Sequence, residues 1–196
     1  SFSLFRLYYF MEVFVSRHSR VSVPSGICYG QTDVALRETF LEEIDRFKHR
    51  ILTNLDVVFS SPLQRCIQVA KTFSETVITD NRLLEMDFGL WEMKAWNDIP
   101  LIEIQPWYDD FVFTKTPNGE NFEMLFIRLK SFLDELRTKD YQKVLIVTHA
   151  GIIRAIWSYL LETPLQNAFK IPIGFEEVLH FHLGKTSNED YIIEKK

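Results

Sequence analysis

Three short apolar runs, each ending abruptly in a polar or charged turn, constrain this chain most. Val13-Phe14-Val15 runs into Ser16-Arg17-His18, Asp56-Val57-Val58-Phe59 into Ser60-Ser61-Pro62, and Lys143-Val144-Leu145-Ile146-Val147 into Thr148-His149-Ala150-Gly151. Continuous β-branched and aromatic residues, without alternation, are the pattern of strands buried on both faces. Helical stripes separate the runs, so the expected fold is α/β: a three-layer α/β/α sandwich with a mainly parallel central sheet and a small lid insertion. In a parallel sheet the three turns share one edge, and open sheets of this kind bind ligands in the crevice at their carboxyl ends. Arg17, His18, Arg65 and His149 then converge from both ends of the chain. Two arginines beside two imidazoles suit a phosphoryl group.

The helical stripes are of unequal clarity. Phe122, Leu125, Phe126, Leu129, Phe132, Leu133 and Leu136 recur at helical spacing, a core stripe introduced by the turn Pro117-Asn118-Gly119-Glu120. A second amphipathic helix is expected over 38–51, with Glu42 and Arg46 as an i,i+4 pair. A third starts at Ser61 as N-cap with Pro62 at the first helical position, which puts Arg65 in its first turn. A fourth covers 152–161. The stretch 176–183 reads as a half-exposed strand with Leu179, Phe181 and Leu183 on one face and His180 and His182 on the other, followed by a short strand at 191–193. That histidine pair lacks a third metal ligand of fitting spacing.

Between these elements lie further candidate residues. The loop after His18 contains Tyr29, Gly30, Gln31 and Asp33 as possible substrate contacts, with turn chemistry as the equal alternative for each. Glu85, between two leucines and a Gly-aromatic turn, suits a general acid if an apolar edge raises its pKa; a surface glutamate is the competing reading. Residues 91–118, rich in aromatics and broken by Pro100, Pro106 and Pro117, read as the lid over the crevice. Lid aromatics can stack on a flat substrate group, although packing is their commoner use.

Composition narrows the class of ligand and compartment. With 22 Lys and Arg against 27 Asp and Glu, and a net charge of -5, the chain has no electrostatic footprint for nucleic acid. Two cysteines, Cys28 and Cys66, are too few for a disulfide framework and fit the cytoplasm. The apolar patch in residues 1–10 is too short to span a bilayer, and Met11 stands where a natural start is expected. Residues 1–10 are therefore expected to be a dispensable extension before a single domain over 11–196, with no membrane partner and no assigned oligomeric state.

Taken in order, Arg17-His18, Ser60-Ser61-Pro62-Leu63-Gln64-Arg65, the segment Leu84 to Glu92, Pro117-Asn118-Gly119-Glu120 and Thr148-His149-Ala150-Gly151-Ile152-Ile153-Arg154 resemble the histidine phosphatase superfamily, with its phosphoglycerate-mutase-like fold. Within it, Gly26-Ile27-Cys28-Tyr29-Gly30-Gln31-Thr32-Asp33 and the Glu85 segment are most similar to the α-ribazole phosphatases. The resemblance implies a phosphomonoester hydrolase working through a phosphohistidine. His18 would be the nucleophile, Glu85 the acid, and Arg17, Arg65 and His149 the phosphoryl ligands. Tyr29, Gly30, Gln31 and Ala150 would contact a small phosphorylated substrate, with no metal or cofactor. Two departures stand out: Ser19-Arg20 replaces the family's Gly followed by Glu or Gln, and Asn121 replaces its Ser after Gly119-Glu120. A phosphoglycerate mutase, a broad sugar-phosphate or phosphohistidine phosphatase, and a non-catalytic phospho-ligand binder are the competing readings.

Overall fold

The computed structural model describes residues 10–51 and 54–196. The apolar runs form β1 (Met11–Arg17), β2 (Val57–Ser60) and β4 (Lys143–Thr148), with β3 (Ile78–Thr79), β5 (Val178–Leu183) and β6 (Tyr191–Lys195) completing one six-stranded sheet. Its order is β3-β2-β4-β1-β5-β6; the first four strands are parallel, β5 runs antiparallel to β1, and β6 antiparallel to β5. The three polar turns therefore share one edge. Ser16 lies opposite Val147 and Arg17 opposite Thr148 across the β1–β4 ladder.

Strand alternation sends side chains into two cores. Val13, Val15, Val144 and Ile146 pack with α4 (Phe122–Leu136) and α5 (Ala150–Leu161). Phe14, Leu145 and Val147 pack with α1 (Phe40–Phe47) and α2 (Gln64–Ala70). The α4 stripe buries Phe122, Leu125, Leu129, Phe132, Leu133 and Leu136, each contributing about 1.5–3 kcal/mol of transfer free energy. Asn121 caps α4: its side chain accepts from Met124 N–H at 2.9 Å and donates to the Phe113 carbonyl at 3.0 Å, which ties the lid to the helix.

Several local expectations are corrected. The helix expected over 38–51 is α-helical only for Phe40–Phe47 and tightens to a 3-10 turn at Lys48–Arg50. Arg46 turns away from Glu42 and pairs with Glu176 at 2.9 Å, a carboxylate that also takes Arg20 at 2.8 Å. A carboxylate shared by two guanidiniums offers more than an exposed i,i+4 pair. The helix expected with Ser61 as N-cap and Pro62 as its first residue starts two residues later than that, at Gln64, where Asp33 supplies the cap from the distant loop: its carboxylate accepts from Gln64 N–H at 3.0 Å. The strand expected to be half-exposed, β5, is covered on both faces. His182 lies between the rings of Phe10 and Tyr191, and His180 stacks on Phe14 and bonds Glu12 at 2.9 Å.

The lid region holds two 3-10 turns, Gly89–Trp91 and Trp96–Asp98, and the helix α3 (Leu101–Asp109). Its indoles pack on one another, with Trp91 perpendicular to Trp107 at 5.9 Å. The expected extension lies outside the described residues except for Phe10. Among the described residues no helix is long and apolar enough to cross a membrane.

Candidate active site

The site grows from the ends of β1 and β4. His18 is 1% exposed and His149 fully buried, their rings edge-to-face with centroids 5.2 Å apart. The Nδ1 of His18 lies 2.7 Å from the Ser19 carbonyl. A carbonyl only accepts, so Nδ1 carries the proton and Nε2 carries the lone pair. Burial holds the His18 pKa well below its usual value, and the charges of Arg17 and Arg65 push it further down. The imidazole is thus neutral at pH 7, the form that can attack an electrophile. His149 is depressed for the same reasons, with burial first and His18 next. Its Nε2 is 2.8 Å from the Ser61 hydroxyl, and the Cys66 sulfur lies 3.5 Å from the same atom. Burial pushes the Cys66 thiol pKa up, so that sulfur stays protonated and is packing rather than a nucleophile.

Both arginines face the histidines. Arg17 donates to the Ile173 carbonyl at 3.2 Å and stacks on Phe175, its guanidinium carbon 3.8 Å from the ring centre. Arg65 is fully buried and donates to the Gly30 and Thr32 carbonyls at 2.6 and 2.7 Å, with Tyr29 beneath it. Among the described residues, Arg17 Nε, Arg65 Nε and Ser19 Oγ are buried without a hydrogen-bond partner. Each unmet donor costs on the order of 1–3 kcal/mol. Three such groups around one neutral imidazole mark where an anionic ligand supplies acceptors.

Glu85 closes the far side. Its carboxylate accepts from Met86 N–H at 2.9 Å and from Gly151 N–H at 3.1 Å, which places it beside the first turn of α5. A Cβ at Gly151 would overlap Glu85 Oε1, so only glycine leaves room for the carboxylate. The Glu85 backbone carbonyl takes two further donors, the Gln31 side chain and Arg128, each at 2.9 Å. Arg128 also holds the Leu84 and Arg82 carbonyls and pairs with Glu120 at 3.0 Å.

The structure brings together all five of Arg17, His18, Arg65, Glu85 and His149, but it changes the reading of the loop residues. Gly30, with φ +27°, is walled in by Glu92, Met86 and Phe88, and Gln31 spends its amide on the Glu85 backbone. Tyr29 packs against Arg65, and Ala150 is the buried first residue of α5. These four frame the site. Sequence reasoning missed Glu92, whose carboxylate accepts from the N–H groups of Gln31, Thr32 and Phe88 and from the Thr32 hydroxyl. It also missed Arg128 and Phe175, which lie on a core helix and a loop and show no distinguishing spacing. Arg154 follows the Thr148-His149 turn; burial lowers its pKa, with Glu85 opposing and Arg17 adding to the effect. Among the described residues no three metal-ligating side chains cluster.

A mostly parallel sheet with a histidine at the end of each of its two central strands, a half-buried and a buried arginine beside them and a carboxylate at the first turn of α5 is a phosphoryl-handling arrangement. The chain belongs to the histidine phosphatase superfamily (branch 1), whose model matches residues 13–189, and it is a phosphatase. It is 27% identical over 92% of its length to a Hydrogenobacter thermophilus protein provisionally named phosphoserine phosphatase 2, of which 94% is covered. It is also 27% identical, over 79% of this chain and 81% of the relative, to the adenosylcobalamin/alpha-ribazole phosphatase of Salmonella typhimurium. The solved alpha-ribazole phosphatase of Shigella flexneri superposes with a TM-score of 0.78 at 24% identity, covering 87% of this chain and 90% of that one, a likeness of fold.

Proposed function

We propose that the chain hydrolyses phosphomonoesters through a phosphohistidine on His18, with α-ribazole 5′-phosphate as the preferred substrate. The observation that carries the chemistry is the neutral His18 imidazole with its lone pair on Nε2, under the electrostatic influence of the half-buried Arg17 and the buried Arg65, each of which leaves its Nε–H without a partner. Nε2 attacks phosphorus in line and the ester P–O bond breaks. Arg17, Arg65 and His149 hold the phosphoryl oxygens and offset the charge that builds on them. Glu85 gives its proton to the departing alkoxide, then takes one from water as that water attacks the phosphohistidine. Inorganic phosphate leaves and His18 is regenerated. The arginines supply the positive charge, so the scheme calls on no metal or cofactor.

The substrate assignment is supported by the Gly26–Asp33 stretch, which Glu92 and Arg65 clamp beside the site. A second reading, phosphoserine as substrate, is favoured by the Hydrogenobacter relative, which spans more of the chain at the same identity. The test has two parts. Quenching in alkaline detergent after brief mixing with an aryl phosphate should trap one phosphoryl group on the protein that is stable to base and released by acid, which His18→Ala abolishes together with turnover. A His18→Ala variant with undiminished activity refutes the scheme. Comparing α-ribazole 5′-phosphate with phosphoserine, 3-phosphoglycerate and sugar phosphates, in the presence of chelator, then decides the substrate.

A further inference from the structure

Arg20, one of the two departures after His18, belongs to an ion cluster that the phosphoryl chemistry does not use. Its guanidinium meets Glu176 at 2.8 Å and Glu43 at 3.4 Å, and its N–H donates to Glu43 at 3.0 Å. Arg46 donates twice to the same Glu176 carboxylate, from Nε at 3.1 Å and from Nη2 at 2.9 Å. Arg50 donates to the Glu176 carbonyl at 3.0 Å. Hydrogen bonds from Arg46, and next from Arg20, pull the Glu176 pKa down to about 2, so the carboxylate is charged throughout the neutral range.

The cluster is poorly placed to stabilise the fold. The side chains of Arg20, Arg46 and Glu176 are 39%, 53% and 30% exposed, and ion pairs that open to water contribute little. It is well placed to hold a segment. Residues 171–177 form neither helix nor strand, and the three arginines grip them at Glu176. The residues just before Glu176 touch the site. The ring centre of Phe175 lies 3.8 Å from the guanidinium carbon of Arg17 and 5.4 Å from that of Arg20, and the ring meets His18 edge-on at 5.9 Å. The Ile173 carbonyl accepts from Arg17 Nη1 at 3.2 Å. Arg17 thus takes both its stacking partner and a hydrogen-bond acceptor from a segment with no regular structure of its own.

We propose that Glu176 is a positioning residue for the phosphoryl site: Arg20, Arg46 and Arg50 clamp it, and the clamp fixes Phe175 and the Ile173 carbonyl so that the Arg17 guanidinium is held ready beside His18. This role rests on the phosphatase reading above and deepens it. A guanidinium placed in advance loses less freedom when the phosphoryl group arrives, and a small misplacement near a reacting centre costs up to about 100-fold in rate.

The test uses Glu176→Gln and, as a second variant, Arg46→Gln, whose half-exposed side chain leaves folding little affected. In both, Tm should stay near the wild-type value while kcat/KM falls by about 10- to 100-fold in Glu176→Gln and by less in Arg46→Gln. The loss should be equal for an alkyl ester and for nitrophenyl phosphate, because Arg17 serves the phosphoryl group rather than the leaving group. Calorimetric titration with inorganic phosphate should show weaker binding in the same order. Arg17→Lys keeps the charge but has no planar fork to fix, so adding Glu176→Gln to it should cost little more. Unchanged turnover and phosphate affinity in both variants overturn the clamp. So does a loss confined to the alkyl ester, or one that persists in full in the Arg17→Lys background. A wild type that hydrolyses neither ester but binds phosphate, more weakly in Glu176→Gln, keeps the clamp and sinks the hydrolysis scheme; a wild type that binds no phosphate overturns both.

Discussion

Replacing Gly151 by alanine isolates the role of Glu85 without touching it. The new Cβ would overlap Glu85 Oε1 and crowd its Cδ at 3.1 Å, so the carboxylate must swing out. It then loses the N–H donors of Gly151, at 3.1 Å, and Met86, at 2.9 Å. Gly151 is the second residue of α5, where alanine favours the helix by up to about 1 kcal/mol. That gain offsets part of the clash, so the fold should persist with a small change in Tm. A displaced acid–base group costs about 10²–10⁴ in rate. The loss falls where the proton matters. An alkyl phosphate, with a poor leaving group, should lose that factor in kcat/KM. A nitrophenyl phosphate needs no protonation of its leaving group and should still phosphorylate His18 at near the native rate. Breakdown of the phosphohistidine still needs the base, so stopped-flow absorbance should show a burst followed by slow turnover. A Gly151→Ala protein that hydrolyses alkyl esters like the wild type refutes the assignment of Glu85.

Two further expectations follow from the site's construction. Both site histidines are buried with folded pKa values below the unfolded value of about 6.5, so the unfolded chain binds more protons below that pH and stability rises with pH there. Urea unfolding should therefore show less stability at pH 5.5 than at pH 7, by on the order of 1 kcal/mol for each histidine, and equal values at the two pH points would contradict the burial argument. Arg128→Ala removes a donor from three backbone carbonyls and leaves Glu120, 15% exposed, without its ion pair. Stability should fall by about 3 kcal/mol, read by denaturant unfolding, with alkyl-ester turnover falling more than phosphoenzyme formation from an aryl ester.

The layered fold was legible because its strands are buried on both faces. Continuous runs such as Val144 to Val147 have no stable place except the middle of a covered sheet, and each ends at a chemistry-bearing turn. The α4 stripe was legible for the same reason, since seven apolar residues at helical spacing have one way to be buried. Arg17, His18, Arg65 and His149 follow from that logic once the strands are parallel, because the topology carries their turns to one edge. Boundaries set by distant partners were not legible. Asp33 moves the start of α2, and Glu176 draws Arg46 from its helical neighbour.

The sequence by itself determined the covered parallel sheet, the long core helix and the identity of the groups that meet at the sheet edge, because hydrophobic periodicity and strand ends are local properties of the chain. Only the tertiary structure decided the condition of those groups. The proton on His18 Nδ1 depends on a carbonyl at 2.7 Å, and the depressed pKa depends on burial and on two arginines, one of them from another strand connection. The place of Glu85 depends on Arg128 and Gln31, from a helix and a loop far apart in the chain, and on the missing Cβ of Gly151. Desolvation and hydrogen-bond geometry act through space, so no periodicity in the chain records them.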